Sequence, residues 1–254
     1  MLVSRKNLAS TIAASVALGL AATAVGCGGS EDGDKATSTR GAERSTTQTD
    51  TKAETKGPVP RSVNTVESAA EDTIDFAHAR NRTKVIATTR KLQRTAAGRA
   101  SADLRKAGVP ADTITALQDR ARLVSSLGRT AGFLRLSLGA NQVSALMPEL
   151  FAHYSSPIPP AVQRLDYVDR EAQLRSRAGD ETSVAAAVDD LAATWAVLEP
   201  DVIKAGGAKV AAKFSRHVAA MRRLAKGSDA AALQEEAARG LELVDQLEGT
   251  FRNH

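Results

Sequence analysis

From Arg61 to the end of the chain, apolar residues recur at alternating steps of three and four, the spacing of an amphipathic α-helix. Runs of β-branched residues are absent, and Gly or Pro separates the periodic segments. The pattern predicts an all-α fold, an antiparallel bundle of about eight helices. The clearest stripe is Val184, Val188, Leu191, Trp195, Leu198, Val202 and Ala205, and the last one is Ala230, Leu233, Ala237, Val244, Leu247 and Phe251.

Three local features predict where helices begin or break. Pro200 lies within the stripe and is expected to kink or split its helix. Pro148 is expected to interrupt another helix. Ser228 follows Gly227 and is expected to cap the last helix.

Three blocks of sequence recur in the same order, which predicts a duplicated four-helix unit. Residues 73–81 align with 164–172, residues 91–108 with 190–207, and residues 127–146 with 214–233. The third alignment places Asn141 on Ser228, so that both are expected to be N-caps. The predicted units are 61–156 and 157–254, joined by the segment SSPIPP at 155–160. The pattern leaves open whether they form two bundles or one.

The start of the chain has the pattern of an export signal. Arg5 and Lys6 precede an uncharged run from Leu8 to Val25 that is rich in Ala, Ser and Thr. Residues 1–26 are therefore predicted to be a signal peptide. A retained membrane helix is the alternative, because eighteen residues are just enough to span a bilayer.

Small residues precede the only cysteine of the chain, in the order Ala24, Val25, Gly26 and Cys27. This resembles the lipobox of bacterial lipoproteins, in which the cysteine is diacylated and becomes the new N-terminus. The resemblance implies lipidation of Cys27 and an anchor on the extracytoplasmic face of the cell membrane. Cleavage by the ordinary signal peptidase after Ala22-Thr23-Ala24 is the alternative. A lipidated Cys27 leaves no thiol for a disulfide.

Residues 27–60 are predicted to be a disordered tether. Beyond Cys27 they contain no aromatic residue and one large aliphatic residue, Val59, among Ser, Thr, Gly and charged residues. Such a composition cannot bury a core.

Charge is distributed unevenly along the helical body. Residues 61–138 hold 14 Lys and Arg against 7 Asp and Glu, whereas residues 139–254 hold 13 against 16. The asymmetry could orient the body toward an anionic membrane or pair two copies, and ordinary solvated helix faces are the simpler explanation. Nucleic acid is not expected as a partner, because the protein is exported and aromatic residues make up only 3% of it.

The sequence contains no motif of an enzyme. Neither a Gly-x-Ser-x-Gly elbow nor a Walker-type loop occurs. The Gly-rich segment at 204–209, with a lysine at each end, could cradle a phosphate, and a turn between helices is the simpler explanation. We therefore expect no catalytic residue and no cofactor.

One set of residues has the spacing of a metal site. Asp75 and His78 lie three residues apart on one helix, and their equivalents in the repeat are Asp166 and Asp169. Helical bundles bind metals with carboxylate and histidine ligands on facing helices. The alternative is salt bridges at the flank of each helix, since Arg170 follows Asp166 by four residues.

The two-unit architecture resembles exported helical proteins of the imelysin type, which include iron-uptake lipoproteins. Their Gly-x-His-x-x-Glu metal motif is absent here. The residues three after His78, His153 and His217 are Asn81, Ser156 and Ala220. The resemblance therefore carries no metal function to this chain.

Trp195, the only tryptophan, is expected either to fill the core or to line an apolar ligand pocket between the units. The leading expectation for function is a lipid-anchored scaffold that presents an exposed apolar or charged patch to another envelope protein. One rival is a binding module for a metal ion or a small apolar ligand. Another is a hydrolase, which would show a buried carboxylate pair with perturbed titration.

Overall fold

The computed structural model describes residues 56–253 of the chain. These residues form ten α-helices and no β-strand. The helices are α1 Arg61–His78, α2 Arg82–Thr95, α3 Ser101–Lys106, α4 Ala111–Thr130, α5 Phe133–Ser144, α6 Met147–Phe151, α7 Pro160–Ala178, α8 Glu181–Lys204, α9 Ala208–Leu224 and α10 Ala230–Arg252. The all-α prediction is confirmed for the described residues. None of these helices combines the length and hydropathy needed to cross a bilayer.

A π turn at Ala96–Ala100 connects α2 to α3, so that the two helices form one continuous rod. The hydroxyl of Ser101 donates to the carbonyl oxygen of Ala96, 2.6 Å away. Gln118 on α4 in turn donates to that hydroxyl at 2.8 Å. With α2 and α3 counted as one rod and α6 as a short turn, the described chain has eight long helices, as the periodicity predicts.

The helices pack in two rings with the same neighbour order. In the N-terminal half, α1 to α6, helix α1 packs against α2, α2 against α4, α4 against α5, and α5 against α1. In the C-terminal half, α7 to α10, the order is α7, α8, α9 and α10, with α10 returning to α7. The first two aligned blocks fall on equivalent helices, the first on α1 and α7 and the second on α2–α3 and α8. In the third block the residues of α5, 133–144, align with 220–231, which span the end of α9, the turn before α10 and its first residues, so this alignment does not match the packing order. The duplicated four-helix unit stays a prediction.

Each half has its own apolar core. One cluster of buried residues extends from Val63 to Phe151, and the other from Ile158 to Leu247. The predicted stripe on α8 lies in the second cluster, with Leu191 and Val202 fully buried. The halves meet where α7 packs against α5 and α6.

Buried polar bonds cross this junction. The side-chain amide of Asn141 on α5 donates to Glu171 on α7 at 2.8 Å, inside the protein. Because Asn141 lies within α5 and is fully buried, the expectation that it caps a helix is wrong.

The other predicted breaks have mixed outcomes. Pro148 does separate two helices, since α5 ends at Ser144 and α6 begins at Met147. Pro200 does not split α8: it faces solvent near the end of the helix, where the carbonyl deprived of its N–H partner can be hydrated. The cap of α10 is Asp229 rather than Ser228, because the Asp229 carboxylate accepts the amide of Ala232 at 2.9 Å.

Residues 56–60, the predicted end of the tether, are packed against the body. Lys56 Nζ donates to the carbonyl oxygen of Ala152 at 2.6 Å. The amide of Ser155 donates to the carbonyl oxygen of Gly57 at 2.8 Å. Pro58 pairs with Ser155 in an isolated parallel bridge, and Val59 packs on the N-terminal core. We name this contact between 56–60 and 152–155 the clasp. For these five residues the prediction of disorder is wrong, because Val59 gains an apolar contact and the backbone gains hydrogen bonds.

Candidate functional site: an acidic cleft between the two halves

A cavity of about 570 Å³ lies between the halves, walled by α1, α6, α7, α10 and the connection before α7. Five carboxylates line it. We name it the acidic cleft and define it by Glu67, Glu71, Asp166, Asp245 and Glu248.

A shared sequence position places these carboxylates. Each one directly follows a buried apolar residue of its helix: Val66, Ala70, Leu165, Val244 and Leu247. Neighbouring residues of an α-helix point about 100° apart, so a residue that follows a core position lies at the flank of the helix. The flanks of α1, α7 and α10 converge, and the acidic residues meet there.

Crowding and burial raise the pKa values of these groups. Burial raises the pKa of Glu67 from 4.5 to about 8, and the negative charges of Glu71, Glu248 and Asp166 act in the same direction. For Glu71, burial and then the charge of Asp166 raise the pKa to about 7, against the opposing effect of Arg170. Burial also raises the pKa of Asp166 and Glu248.

Two arginines offset part of the negative charge. Arg170, which is 14% exposed, lies 3.0 Å from Asp166 and 3.7 Å from Glu71 on the opposite half. Its Nη1 has no hydrogen-bond partner among the described residues. Arg252 pairs with Glu248 at 2.5 Å. Five carboxylates against two guanidinium groups leave the cleft net negative when all are ionised.

Two buried polar side chains in the wall of the cleft also lack partners. Ser144 and Gln163 are 5% and 7% exposed, and both line the cavity. The hydroxyl oxygen of Ser144 and Oε1 of Gln163 make no hydrogen bond within the described chain. An unsatisfied buried polar atom costs about 1–3 kcal/mol. Both atoms are covered from solvent, so they contact an occupant of the cleft only if their side chains rotate toward it.

The predicted metal site does not form. Within residues 56–253 no three His, Cys, Asp or Glu side chains come together in a way that could hold a metal ion. Asp75 and His78 are exposed on α1, Asp166 pairs with Arg170, and Asp169 is fully buried against His217. The prediction of a shared ligand set is wrong because Asp169 points into the C-terminal core, away from α1. The alternative pairing of Asp166 with Arg170 is confirmed.

Trp195 does not line a ligand pocket. It is 4% exposed, its ring centroid lies 4.6 Å from that of Phe214, and its indole N–H donates to Ser215 at 3.0 Å. It lines none of the five cavities identified within residues 56–253. The ring fills the core of the C-terminal half, as the first of the two interpretations expects.

The sequence analysis missed Glu67, Glu71, Asp245 and Glu248 as site residues. A signal was present, because Glu67 and Glu71 lie four residues apart as like charges on one helix face. A lone pair of glutamates is common on solvated faces, however, and only the tertiary fold brings α7 and α10 to the cavity that this pair faces.

The comparisons with known proteins return no match: no protein-family model, no curated protein and no solved structure is similar to this chain. Cys27 and the segment before residue 56 lie outside the described residues. A functional proposal therefore has to be based on the geometry of the acidic cleft.

Proposed function

We propose that this chain is a lipid-anchored envelope protein whose helical body is a binding module, and that the acidic cleft receives an organic cation. The anchor is the one predicted at Cys27, on the extracytoplasmic face of the membrane. The proposed ligand carries an amine or guanidinium group, from a small molecule or from a basic side chain of an envelope protein.

The single observation that carries the proposal is the convergence of five carboxylates on one cavity. Ionised carboxylates are hydrogen-bond acceptors, so an occupant that donates several hydrogen bonds would satisfy them together. A cavity of about 570 Å³ is in the range of small-molecule sites and is far larger than a single ion needs.

The cleft shows no activated serine nucleophile among the described residues. Its raised pKa values meet one expectation for a hydrolase, but the Ser144 hydroxyl has no hydrogen-bond partner in the described chain and hence no base beside it. The hydroxyl of Ser156 accepts the amide of Ile158. We propose ligand binding at the cleft and no catalytic step.

The test is calorimetric titration of residues 27–254 with spermidine at pH 8.5 and low salt. We expect saturable binding that Glu67→Gln weakens about tenfold, the effect of losing one buried charged contact. Glu242→Gln, an exposed position of α10, makes the same chemical change and should leave binding intact. Absence of binding, or equal weakening by both variants, would refute the proposal.

A second candidate is the scaffold function, and the outer face of α8 favours it. Val197 and Ile203 are 77% and 51% exposed, which is unusual for large aliphatic side chains on the same helix. Ala193, Ala196 and Pro200 are exposed between and beside them. At helical spacing these five residues form one apolar strip.

Photo-crosslinking in intact cells tests this second function. A crosslinking residue at Val197 should give one discrete adduct with an envelope protein, and Ile203→Asp should abolish it. The same residue at Asp119, exposed on α4, is the control. If Val197 and Asp119 give the same adducts, the strip is not a docking surface.

A further inference from the structure

A second cavity, of about 730 Å³, is lined mainly by positive charge, in contrast to the acidic cleft. It opens where α1 begins, and the end of α2, the π turn and α3 form its other wall. Three arginines line it, Arg61, Arg94 and Arg99, together with a single carboxylate, Asp103. We name these three side chains the arginine cradle.

The positive charge of the cradle is not neutralised within the described chain. Arg61, Arg94 and Arg99 are exposed and make no ion pair with any residue of 56–253. The carboxylate of Asp103 accepts a hydrogen bond from the Ser62 hydroxyl at 2.6 Å. Three guanidinium groups around one carboxylate attract anions.

The start of α1 adds backbone donors to the cradle. Helix α1 begins after Pro60 without a side-chain cap and without an acidic residue in its first turn. The carbonyl of Pro60 accepts the amides of Val63 and Asn64 at 3.0 and 3.2 Å. The amides of Arg61 and Ser62 precede these bonds and point out of the helix start, where the helix dipole favours an anion.

The π turn explains why two of the arginines face the same cavity. In a regular α-helix, residues five apart lie about 140° from one another around the axis. The i to i+5 bonding of the π turn at Ala96–Ala100 brings such residues toward one face. Arg94 and Arg99 are five residues apart, and both line the cavity.

We infer that the arginine cradle binds a phosphate group. Guanidinium forks match phosphate oxygens in two-point contacts, and the amides at the start of α1 and the hydroxyl of Thr95 supply further donors. Phospholipid headgroups and soluble phosphates share this chemistry. The cradle has no residue in common with the acidic cleft, so phosphate binding there does not depend on the proposed function.

The direct test follows the backbone amide of Ser62 by NMR while inorganic phosphate is added to residues 27–254. We expect a saturable shift of this amide, and Arg94→Gln/Arg99→Gln should raise the dissociation constant about tenfold. The control is Arg129→Gln/Arg222→Gln, which removes the same charge at exposed positions outside the cradle. All variants alter exposed side chains, and circular dichroism checks that they remain folded.

A second arm distinguishes the sources of the phosphate. The same proteins are sedimented with vesicles of phosphatidylcholine, with and without phosphatidylglycerol. Binding that requires phosphatidylglycerol and is lost only in the cradle variant assigns the phosphate to a lipid headgroup. A Ser62 shift without vesicle binding assigns it to a soluble phosphate. The inference is overturned if the Ser62 amide does not respond and no vesicle binds. It is also overturned if the control variant loses as much affinity for phosphate or for vesicles as the cradle variant.

Discussion

The Asp169 carboxylate lies 2.9 Å from Nε2 of His217, in a part of the C-terminal core where Asp169 is fully buried. Nδ1 of the same ring lies 3.0 Å from Glu236. One imidazole therefore connects α7, α9 and α10. These carboxylates raise the pKa of His217 against the opposing effect of burial, while burial raises the pKa of Asp169 to about 6.

Substitution His217→Ala should lower the free energy of unfolding by about 3 kcal/mol, because it leaves Asp169 buried without its partner. Urea denaturation at pH 7 measures the change. Arg216→Ala, on the exposed side of the same helix, should change stability by less than about 0.5 kcal/mol. Equal effects of the two substitutions would mean that the hydrogen bonds to His217 contribute nothing to stability.

Gly240→Ala should destabilise the protein by about 2 kcal/mol or more. A Cβ at this position of α10 would collide with the Asp169 carboxylate and the His217 ring, both of which are held in the core. A Cβ added at Gly249 on the same helix would meet no atom within 4 Å, so Gly249→Ala should stabilise by about 0.5–1 kcal/mol. Thermal denaturation of both variants compares them directly, and a stabilising Gly240→Ala would contradict the close packing.

The raised pKa values in the acidic cleft predict how stability depends on pH. The pKa of Glu67 rises from 4.5 to about 8 on folding, so between these values the folded state holds more protons than the unfolded state. Protonation of Glu67 therefore contributes fully to the free energy of unfolding below about pH 4.5. This contribution is lost as the pH rises through about 8. Glu71, with a pKa of about 7, acts in the same direction.

Glu67→Gln should remove the part of this dependence that comes from Glu67 and leave the part that comes from Glu71. We expect its melting temperature to exceed that of the wild type by about 3 °C at pH 8.5 and to equal it near pH 4.5. The exposed substitution Glu242→Gln should leave the pH profile unchanged. A difference that is constant across the pH range would show that Glu67 keeps an ordinary pKa.

Cation binding to the acidic cleft should release protons. A cation beside Glu67 and Glu71 favours their charged forms and lowers both pKa values. At pH 7.5, titrations with spermidine in PIPES and in HEPES should therefore give different apparent enthalpies. At pH 9.5, where both groups are ionised before binding, the carboxylates release no proton, and any remaining buffer dependence comes from the amines of spermidine, which titrate near this pH. Identical enthalpies in the two buffers at pH 7.5 would contradict the assignment of these carboxylates to the site.

Much of the fold is predictable because helical periodicity is a local property. The stripe from Val184 to Val202 identifies α8, and Pro148 identifies the break between α5 and α6. Cap positions are less certain, since Ser228 and Asp229 are both good capping residues and only the backbone geometry selects Asp229.

The candidate site depends on contacts between distant segments, and periodicity does not report them. Glu71 and Arg170 are far apart in sequence and meet only because α1 lies beside α7. Asp169 has the same relation to the helical repeat as the exposed His78, yet the packing of α9 and α10 buries it. Helical spacing thus predicts that acidic residues lie on the flanks of their helices. Which flanks converge depends on tertiary packing, and the spacing does not predict it.

The clasp determines where a mechanical load enters the protein. Any pull on the segment before Lys56 reaches the body through the Gly57–Ser155 hydrogen bond and the Lys56–Ala152 contact. Both bonds end on the connection between α6 and α7, so tension would act first on this joint between the two halves. Pro58 and Ser155 also line the acidic cleft, so the tension would act on its opening as well. Tension on the segment before Lys56 would therefore reach the acidic cleft before any helix unfolds.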